Sequence, residues 1–251
     1  MHHSEVSHGK WKKKDWLDLR PIQSRPERFR VVLEFGGVAC LLEAIKGDQS
    51  QARSRGIEFP EVEITEIWKE TIHRLERLGD VTGYSEDTDL GSLALEYECR
   101  TNPVWPMPRA AECLRRLHKA GLALGIVSNA QFFTPELFEP LFGCKLDGLG
   151  LDPELRFYSY RFKQAKPGAF LYEHARDELA MGGIAARQVL YIGNDMLNDV
   201  RPASAVGFHT ALFAGDARSL RLREGDQRVA GVAADLVLTD LGQLPSCVAN
   251  E

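Results

Sequence analysis

The stretch Leu190-Tyr-Ile-Gly-Asn-Asp-Met-Leu-Asn-Asp-Val200 decides the fold. Its apolar start, residues 189–192, is typical of a buried strand, and Gly193 marks a tight turn directly after it. Two carboxylates, Asp195 and Asp199, follow this turn together with two asparagines. In an open parallel α/β sheet, ligands bind beyond the carboxyl ends of the strands. The acidic loop therefore indicates a site at the end of this strand.

The same alternation of apolar run, turn and amphipathic segment extends to both sides of this stretch. It predicts strands at residues 122–127, 189–192, 210–213 and 236–238, and helices at residues 109–120, 135–142, 168–180 and 200–206. Strands that alternate with helices and glycine-marked turns are typical of a doubly wound (Rossmann-like) parallel sheet, an α/β fold.

The N-terminal part has a different texture. Residues 1–28 are polar and interrupted by prolines, so we expect an extension before the fold. The run Phe29-Arg-Val-Val-Leu-Glu-Phe-Gly-Gly37 predicts a first buried strand that ends in a tight turn at its two glycines. Helical periodicity follows, because apolar side chains recur every three or four positions in residues 62–78, and residues 90–99 predict another helix. Three prolines in residues 103–108 end this helical segment.

Polar side chains follow these strands, and together they could converge on one crevice. They are Glu34 after the first strand, Ser128 and Asn129 after the second, Lys166 before the helix at 168–180, and Asn194, Asp195 and Asp199 in the acidic loop. Such a set suits an anionic substrate together with a divalent cation held by carboxylate oxygens. Two structural alternatives stay open, since Asp199 could cap the helix at 200–206 and the turn at Ser128 and Asn129 could cap the segment after it.

Composition and charge exclude several other functions. The chain has 251 residues and a formal net charge of −5, which gives no electrostatic support for nucleic-acid binding. No apolar run approaches the roughly 20 residues needed to cross a bilayer, and no secretory signal is present, so we expect a cytoplasmic protein. The five cysteines have no close metal or redox spacing. The arginines at 218, 221 and 223 predict a solvated loop, with an acidic partner or substrate tail as the alternative.

Over residues 29–241 the chain resembles the haloacid dehalogenase (HAD) superfamily. Ile126-Val-Ser-Asn-Ala-Gln131 is similar to the second motif of the family, Ala165-Lys-Pro-Gly168 to the third, and the stretch 190–200 to the fourth. The resemblance implies an α/β core at 29–40 and 106–251 with a helical cap inserted at 41–105. It implies that Ser128 and Asn129 bind the substrate, that Lys166 neutralises charge at the nucleophile, and that a Mg²⁺ site is formed by Glu34, Asn194, Asp195 and Asp199.

The first motif departs from the family pattern. Glu34 matches the position of the nucleophilic aspartate, and Gly36 matches that of the general acid/base. Glutamate can act as a nucleophile but is one methylene longer, and a misplacement of about 1 Å can cost on the order of 100-fold in rate. Glycine cannot move a proton, a loss that typically costs about 100- to 10,000-fold. Asn194 stands where phosphatases of the family carry a metal-binding aspartate, which weakens the Mg²⁺ site.

Three functions remain open from the sequence. The first is the family reaction, hydrolysis of a small phosphomonoester through a carboxylate nucleophile, weak or lost in this chain. The second is a non-catalytic protein of the same fold, a pseudoenzyme, that binds a phosphorylated ligand or a protein partner. The third is a metal-independent 2-haloacid dehalogenase-like hydrolase, in which Gly36 matters less because a halide leaves without a proton. The substrate and the oligomeric state do not follow from the residues.

Overall fold

The computed structural model describes residues 35–248 and begins with a helical segment. Its three helices are α1 (Phe35–Ser54), α2 (Ile64–Leu78) and α3 (Leu90–Thr101). Helices α2 and α3 confirm the helices predicted at 62–78 and 90–99. α2 begins at an N-cap, Glu63, whose carboxylate accepts hydrogen bonds from two backbone N–H groups of the first turn, and it ends at Gly79 with a positive φ of 80°.

The tight turn predicted at Gly36 and Gly37 is wrong, because α1 begins at Phe35 and both glycines lie in its first turns. Glycine is a poor helix former, so a contribution from packing must outweigh this local preference. Leu41 and Ala44 of α1 are buried in one cluster with residues of α2 and α3. Burial of this apolar face stabilises the helix.

Three of the predictions concern residues before α1, which lie outside the described part of the chain. They are the extension at residues 1–28, the strand at residues 29–34 and the site residue Glu34. Helices α1 and α2 pack antiparallel, because Cys40 and Glu43 near the start of α1 lie beside Arg74 and Leu78 near the end of α2.

The α/β part occupies the rest of the described chain. Its elements are α4 (Ala110–Lys119), β1 (Leu124–Ser128), α5 (Phe138–Phe142), β2 (Leu151–Tyr158), α6 (Ser159–Phe162), α7 (Phe170–Met181), β3 (Leu190–Gly193), α8 (Arg201–Ala205), β4 (His209–Phe213), β5 (Leu236–Leu238) and α9 (Leu244–Val248). The predicted strands are confirmed by β1, β3, β4 and β5, and the helices predicted at 109–120 and 168–180 by α4 and α7. The helix predicted at 200–206 is preceded by a π-helical turn, Met196–Val200, that runs into α8.

All strand pairs in the described chain are parallel, which confirms the predicted fold class. Strands β1 and β2 form one sheet, and β3, β4 and β5 form another in the order β3-β4-β5. Among the described residues no backbone ladder joins β1 to β3. The side chain of Tyr191 on β3 links them, since its hydroxyl donates to the carbonyl oxygen of Val127 at 3.1 Å.

Helices cover both faces of the β3-β4-β5 sheet. Side chains alternate across a strand, and Tyr191 packs with the cluster of α7 and α8 whereas its neighbours Leu190 and Ile192 pack with the cluster of α4 and α9. This two-sided cover is the doubly wound arrangement expected from the sequence.

Strand β2 was not predicted. It contains Pro153, which cannot donate to a ladder, and charged residues interrupt its apolar pattern. Its pairing with β1 is irregular, because Leu124 is opposite Leu151 whereas Ile126 is opposite Arg156. Proline is tolerated at such an irregularity and on an edge strand. Pairing with β1, rather than an apolar periodicity of its own, therefore makes this segment a strand.

The helical segment is joined to the α/β part by hydrogen bonds at the base of α2. The amide of Ala165 donates to the carbonyl oxygen of Phe59 at 2.7 Å, and that of Glu61 to the carbonyl oxygen of Lys163 at 3.1 Å. No helix among residues 35–248 is both long and apolar enough to span a membrane.

Candidate functional site

A pocket of about 310 Å³ lies at the carboxyl ends of β1 and β3. Its lining residues all belong to the α/β part and are polar: Ser128, Asn129, Lys166, Asn194, Asp195, Asn198, Asp199, Ser219, Arg221 and Arg223. Every site residue predicted from the sequence is among them except Glu34, which lies outside the described residues. The carboxyl ends of parallel strands meet at one edge, so residues distant in sequence converge here.

The end of β1 supplies a hydroxyl and an amide. Ser128 Oγ donates to the carbonyl oxygen of Asn129 at 3.2 Å, a local bond that leaves the hydroxyl at the pocket. The amide of Asn129 holds the backbone of Lys166 from both sides: Oδ1 accepts from its N–H at 2.8 Å, and Nδ2 donates to its carbonyl oxygen at 3.2 Å. Asn129 thus positions the loop that carries Lys166, in which the Lys166–Pro167 peptide is cis.

Lys166 and Asp199 form a buried ion pair beneath the pocket. Nζ of Lys166 lies 2.6 Å from Oδ1 of Asp199, and the two side chains are 12% and 5% exposed. Burial opposes the charge on Lys166, but its contacts with Tyr191 and with the Asp199 carboxylate outweigh burial and raise the pKa of the ammonium group. Burial raises the pKa of the Tyr191 phenol, so that group stays neutral. The lysine is therefore a permanent cation at neutral pH.

Asp199 accepts hydrogen bonds on both carboxylate oxygens. The backbone N–H groups of Asn194 and Asp195 donate to Oδ2 at 3.1 Å each, and Nζ of Lys166 donates to Oδ1 at 2.6 Å. Gly193 makes room for this carboxylate, since a Cβ there would lie 2.3 Å from Cβ of Asp199. Asp199 is thus enclosed by protein donors.

Asp195 caps the π-helical turn and pairs with an arginine. Its Oδ1 accepts from the amides of Leu197 at 2.9 Å and Asn198 at 3.2 Å. The guanidinium of Arg223 binds both oxygens, with Nε 3.0 Å from Oδ1 and Nη2 2.5 Å from Oδ2. Burial acts to raise the pKa of Asp195, but the Arg223 and amide hydrogen bonds outweigh it and lower the pKa. The cap is therefore Asp195, and the alternative that Asp199 caps the helix after residue 200 is wrong.

The described residues do not fit the Mg²⁺ ion that the family resemblance implies. A carboxylate offers about four lone-pair sites. Asp195 already accepts four hydrogen bonds, two of them from Arg223. Asp199 accepts three, from Lys166 and two backbone amides. Asn194 brings a neutral amide, whose Nδ2 donates to the carbonyl oxygen of Ser219 at 2.6 Å. No group of three or more acidic, histidine or cysteine side chains in residues 35–248 is arranged to hold a metal.

The sequence prediction missed three of the pocket residues, namely Ser219, Arg221 and Arg223, whereas Asn198 belongs to the acidic loop that it placed at this strand end. The prediction of a solvated loop holds for Arg218 and Arg221, which are exposed, whereas Arg223 is only partly exposed and pairs with Asp195. A signal was present, because this basic run follows the end of β4, where an α/β sheet binds ligands.

Comparisons with known proteins agree with this architecture. Residues 164–244 match the HAD-hydrolase-like family model. No curated protein matches the chain by sequence. The solved structure of a 2-haloacid dehalogenase from Pseudomonas syringae pv. Tomato DC3000 matches with a TM-score of 0.54 and 17% identity, over 94% of this chain and 87% of that one.

Two further solved structures have the same fold. The L-2-haloacid dehalogenase RSc1362 matches with a TM-score of 0.51 and 21% identity, over 84% of this chain and 85% of that one. Another dehalogenase matches with a TM-score of 0.51 and 17% identity, over 86% and 83%. At these identities the likeness concerns the fold alone. Residues 164–244 are thus similar to HAD-hydrolase-like proteins, and the chain shares the fold of these dehalogenases.

Proposed function

We propose that this protein binds a small phosphorylated molecule in the pocket at the ends of β1 and β3, and that hydrolysis, the family reaction, is weak or lost. One observation carries the proposal: both pocket carboxylates of the described chain are tied to protein cations, while a hydroxyl, amides and cationic side chains line the same space. The pocket is equipped to hold an anion, and its described carboxylates are not free to attack it.

The charge of the lining favours an anion. Lys166, Arg221 and Arg223 face two carboxylates, so cations are in excess. Arginine guanidinium and lysine ammonium groups are the side chains that bind phosphate oxygens best. The hydroxyl of Ser128 adds a donor on the β1 side when it rotates from the carbonyl oxygen of Asn129 toward the anion. A phosphate group offers several oxygens to such donors at once.

Covalent hydrolysis needs a carboxylate with an oxygen free to attack the bound anion. In the described chain, Asp195 and Asp199 accept hydrogen bonds on both oxygens. Glu34 lies outside the described residues. The two described carboxylates support binding of an anion rather than attack on it.

A metal-independent dehalogenase-like hydrolase is the second candidate. The observation that favours it is the poor fit of the pocket to Mg²⁺, because release of a halide from a 2-haloacid requires neither a metal nor a proton donor. The substrate carboxylate would take the place of the phosphate group among the same donors. This candidate shares the need for a free nucleophilic carboxylate.

The test measures binding and turnover on the same samples. Calorimetric titration with inorganic phosphate should show binding to the wild type and about tenfold weaker binding to Ser128→Ala, which corresponds to one hydrogen bond to a charged group. Ser54→Ala, an exposed serine of α1 that does not line the pocket, is the matched control and should bind like the wild type.

Phosphate release from a panel of phosphomonoesters and halide release from 2-haloacids should both be at or near background. Turnover that Glu34→Ala abolishes would overturn the proposal in favour of an active hydrolase. Halide release alone would select the dehalogenase-like candidate. Absence of phosphate binding to the wild type would remove the binding function itself.

A further inference from the structure

Arg223 is held toward the pocket in an unusual backbone conformation. Its φ is 60°, in the left-handed region that non-glycine residues seldom adopt. Strain of this kind persists only where the surrounding structure imposes it, and it clusters at functional sites. Here the two-point contact with Asp195 accompanies the strain. The position of the guanidinium is thus imposed by the fold rather than adopted by a mobile surface chain.

The loop that carries Arg223 is bonded directly to the acidic loop. The amide of Arg221 donates to the carbonyl oxygen of Asn194 at 2.8 Å, and the amide of Met196 donates to the carbonyl oxygen of Arg221 at 2.9 Å. The side-chain amide of Asn194 adds the bond to Ser219 at 2.6 Å. Three hydrogen bonds therefore hold the two loops together, and they bring the side chain of Arg223 beside the carboxylate of Asp195.

The guanidinium retains donors for a ligand. Arginine has five N–H groups in a planar fork, and its hydrogen bonds within residues 35–248 use Nε and Nη2, both on Asp195. Arg223 also lines the pocket, and its side chain is 36% exposed whereas that of Asp195 is 9% exposed. One edge of the fork thus satisfies the buried carboxylate, and the remaining N–H groups are available to an anion.

We propose that Arg223 serves as the fixed cation of this pocket in place of a divalent metal: it neutralises Asp195 and binds the ligand anion through its remaining N–H groups. The inference rests on the proposed anion-binding function and deepens it, since it predicts that phosphate binds without Mg²⁺. A metal ion would need the lone pairs of Asp195 that Arg223 and the backbone amides occupy. The arginine and a bound metal therefore exclude one another at this carboxylate.

The experiment titrates inorganic phosphate into the wild type, in EDTA and in excess MgCl₂, and compares it with Arg223→Gly. The wild-type Kd should be the same in both buffers. Arg223→Gly should bind phosphate about 10- to 100-fold more weakly in EDTA, as expected for loss of hydrogen bonds between charged partners. Glycine adopts a φ of 60° without strain, so the backbone tolerates this variant.

Two further variants keep the result interpretable. Arg223→Lys retains the positive charge but not the planar set of N–H donors. Its loss of phosphate-binding free energy, relative to the wild type, should be at least about half of the loss in Arg223→Gly. Arg218→Gly removes an exposed arginine of the same loop and should bind like the wild type. Thermal melting adds a readout that needs no anion. Mg²⁺ should leave the melting temperature of the wild type unchanged and raise that of Arg223→Gly, in which Oδ2 of Asp195 has lost its cationic partner.

Wild-type phosphate affinity that falls on removal of Mg²⁺, or Arg223→Gly binding phosphate like the wild type, would overturn the inference. So would a rise in the wild-type melting temperature with Mg²⁺ equal to that of Arg223→Gly. If the wild type binds no phosphate in either buffer, the proposed function fails, and the melting temperatures still decide whether Arg223 excludes a metal.

Discussion

Ser159 Oγ donates a hydrogen bond of 2.6 Å to Oε2 of Glu61, and the same hydroxyl accepts from the amide of Ala130 at 2.9 Å. Ser159 is fully buried at the end of β2, and Ala130 follows the pocket residues Ser128 and Asn129. A carboxylate at the base of the helical segment is therefore connected, through one hydroxyl, to the loop that lines the pocket.

Replacement of Glu61 by glutamine should change the pH dependence of stability. Burial raises the pKa of Glu61 above its ordinary value of 4.5, although its bonds to Ser159 and the Val62 amide act in the opposite direction. A raised folded-state pKa means that protonation stabilises the protein below the unfolded pKa, and that this contribution is lost as pH rises through the folded pKa. Glu61→Gln lacks this titration.

The melting temperature of Glu61→Gln relative to the wild type should therefore be more favourable at pH 7.5 than at pH 4.5. Thermal melts of both proteins across this range measure the difference, and Glu58→Gln, at an exposed position of the same segment, is the control. A difference that stays constant with pH would show that Glu61 does not titrate with an elevated pKa.

Loss of the Gln131 side chain should loosen the helical segment. Its Nε2 donates to the carbonyl oxygen of Val62 at 3.0 Å, and its Oε1 accepts from the amide of Ile64 at 3.1 Å. Gln131→Ala should cost about 1–3 kcal/mol, because two backbone groups lose their partners. Hydrogen exchange in residues 61–66 should become faster, while phosphate binding changes little because Gln131 does not line the pocket. Gln51→Ala, an exposed glutamine of α1, should leave the exchange rates unchanged.

Removal of Lys166 should destabilise the fold through its partner. Lys166→Met leaves Asp199 buried without its cation, which costs about 3–5 kcal/mol and lowers the melting temperature by roughly 10 °C. Lys166→Met/Asp199→Asn should be more stable than the single variant, because no unpaired buried charge remains. Urea denaturation of the four proteins of this cycle measures the coupling. If the changes in unfolding free energy of the two single variants add up to that of the double variant, the interaction between Lys166 and Asp199 contributes nothing to stability. Arg100→Met, in an exposed pair with Glu96, should have little effect.

Addition of one methyl group at Gly193 should disrupt the acidic loop. A Cβ there would lie 2.3 Å from Cβ of Asp199, and that side chain has no freedom to move because Lys166 and backbone amides hold it. Gly193→Ala should lower stability by about 1–3 kcal/mol or more through overpacking and should weaken phosphate binding. Gly91→Ala is the matched control, since its Cβ would meet neighbours at 3.5 Å, an ordinary contact. Equal stabilities of the two variants would show that Asp199 can move aside.

Much of the fold could be predicted because local periodicity reports which face of a segment is buried. The stripe in residues 62–78 and the apolar runs at β1, β3, β4 and β5 identified helices and strands by this means. The site residues at the strand ends followed from the parallel topology. The same reasoning gave a wrong turn at Gly36 and Gly37, because it had no information on the packing of α1 against α2.

The sequence by itself determined the α/β class, the helices and strands other than α1, β2, α6 and α9, and the polar residues that the strand ends bring to one edge. Each of these depends on short-range patterns of apolar and polar residues. Only the tertiary structure decided that β2 is a strand, that Asp199 pairs with Lys166, and that Arg223 binds Asp195. The physical reason is that strand pairing and ion pairing depend on distances between segments far apart in the chain. Whether a carboxylate is free for chemistry is settled by the cation that the fold places beside it.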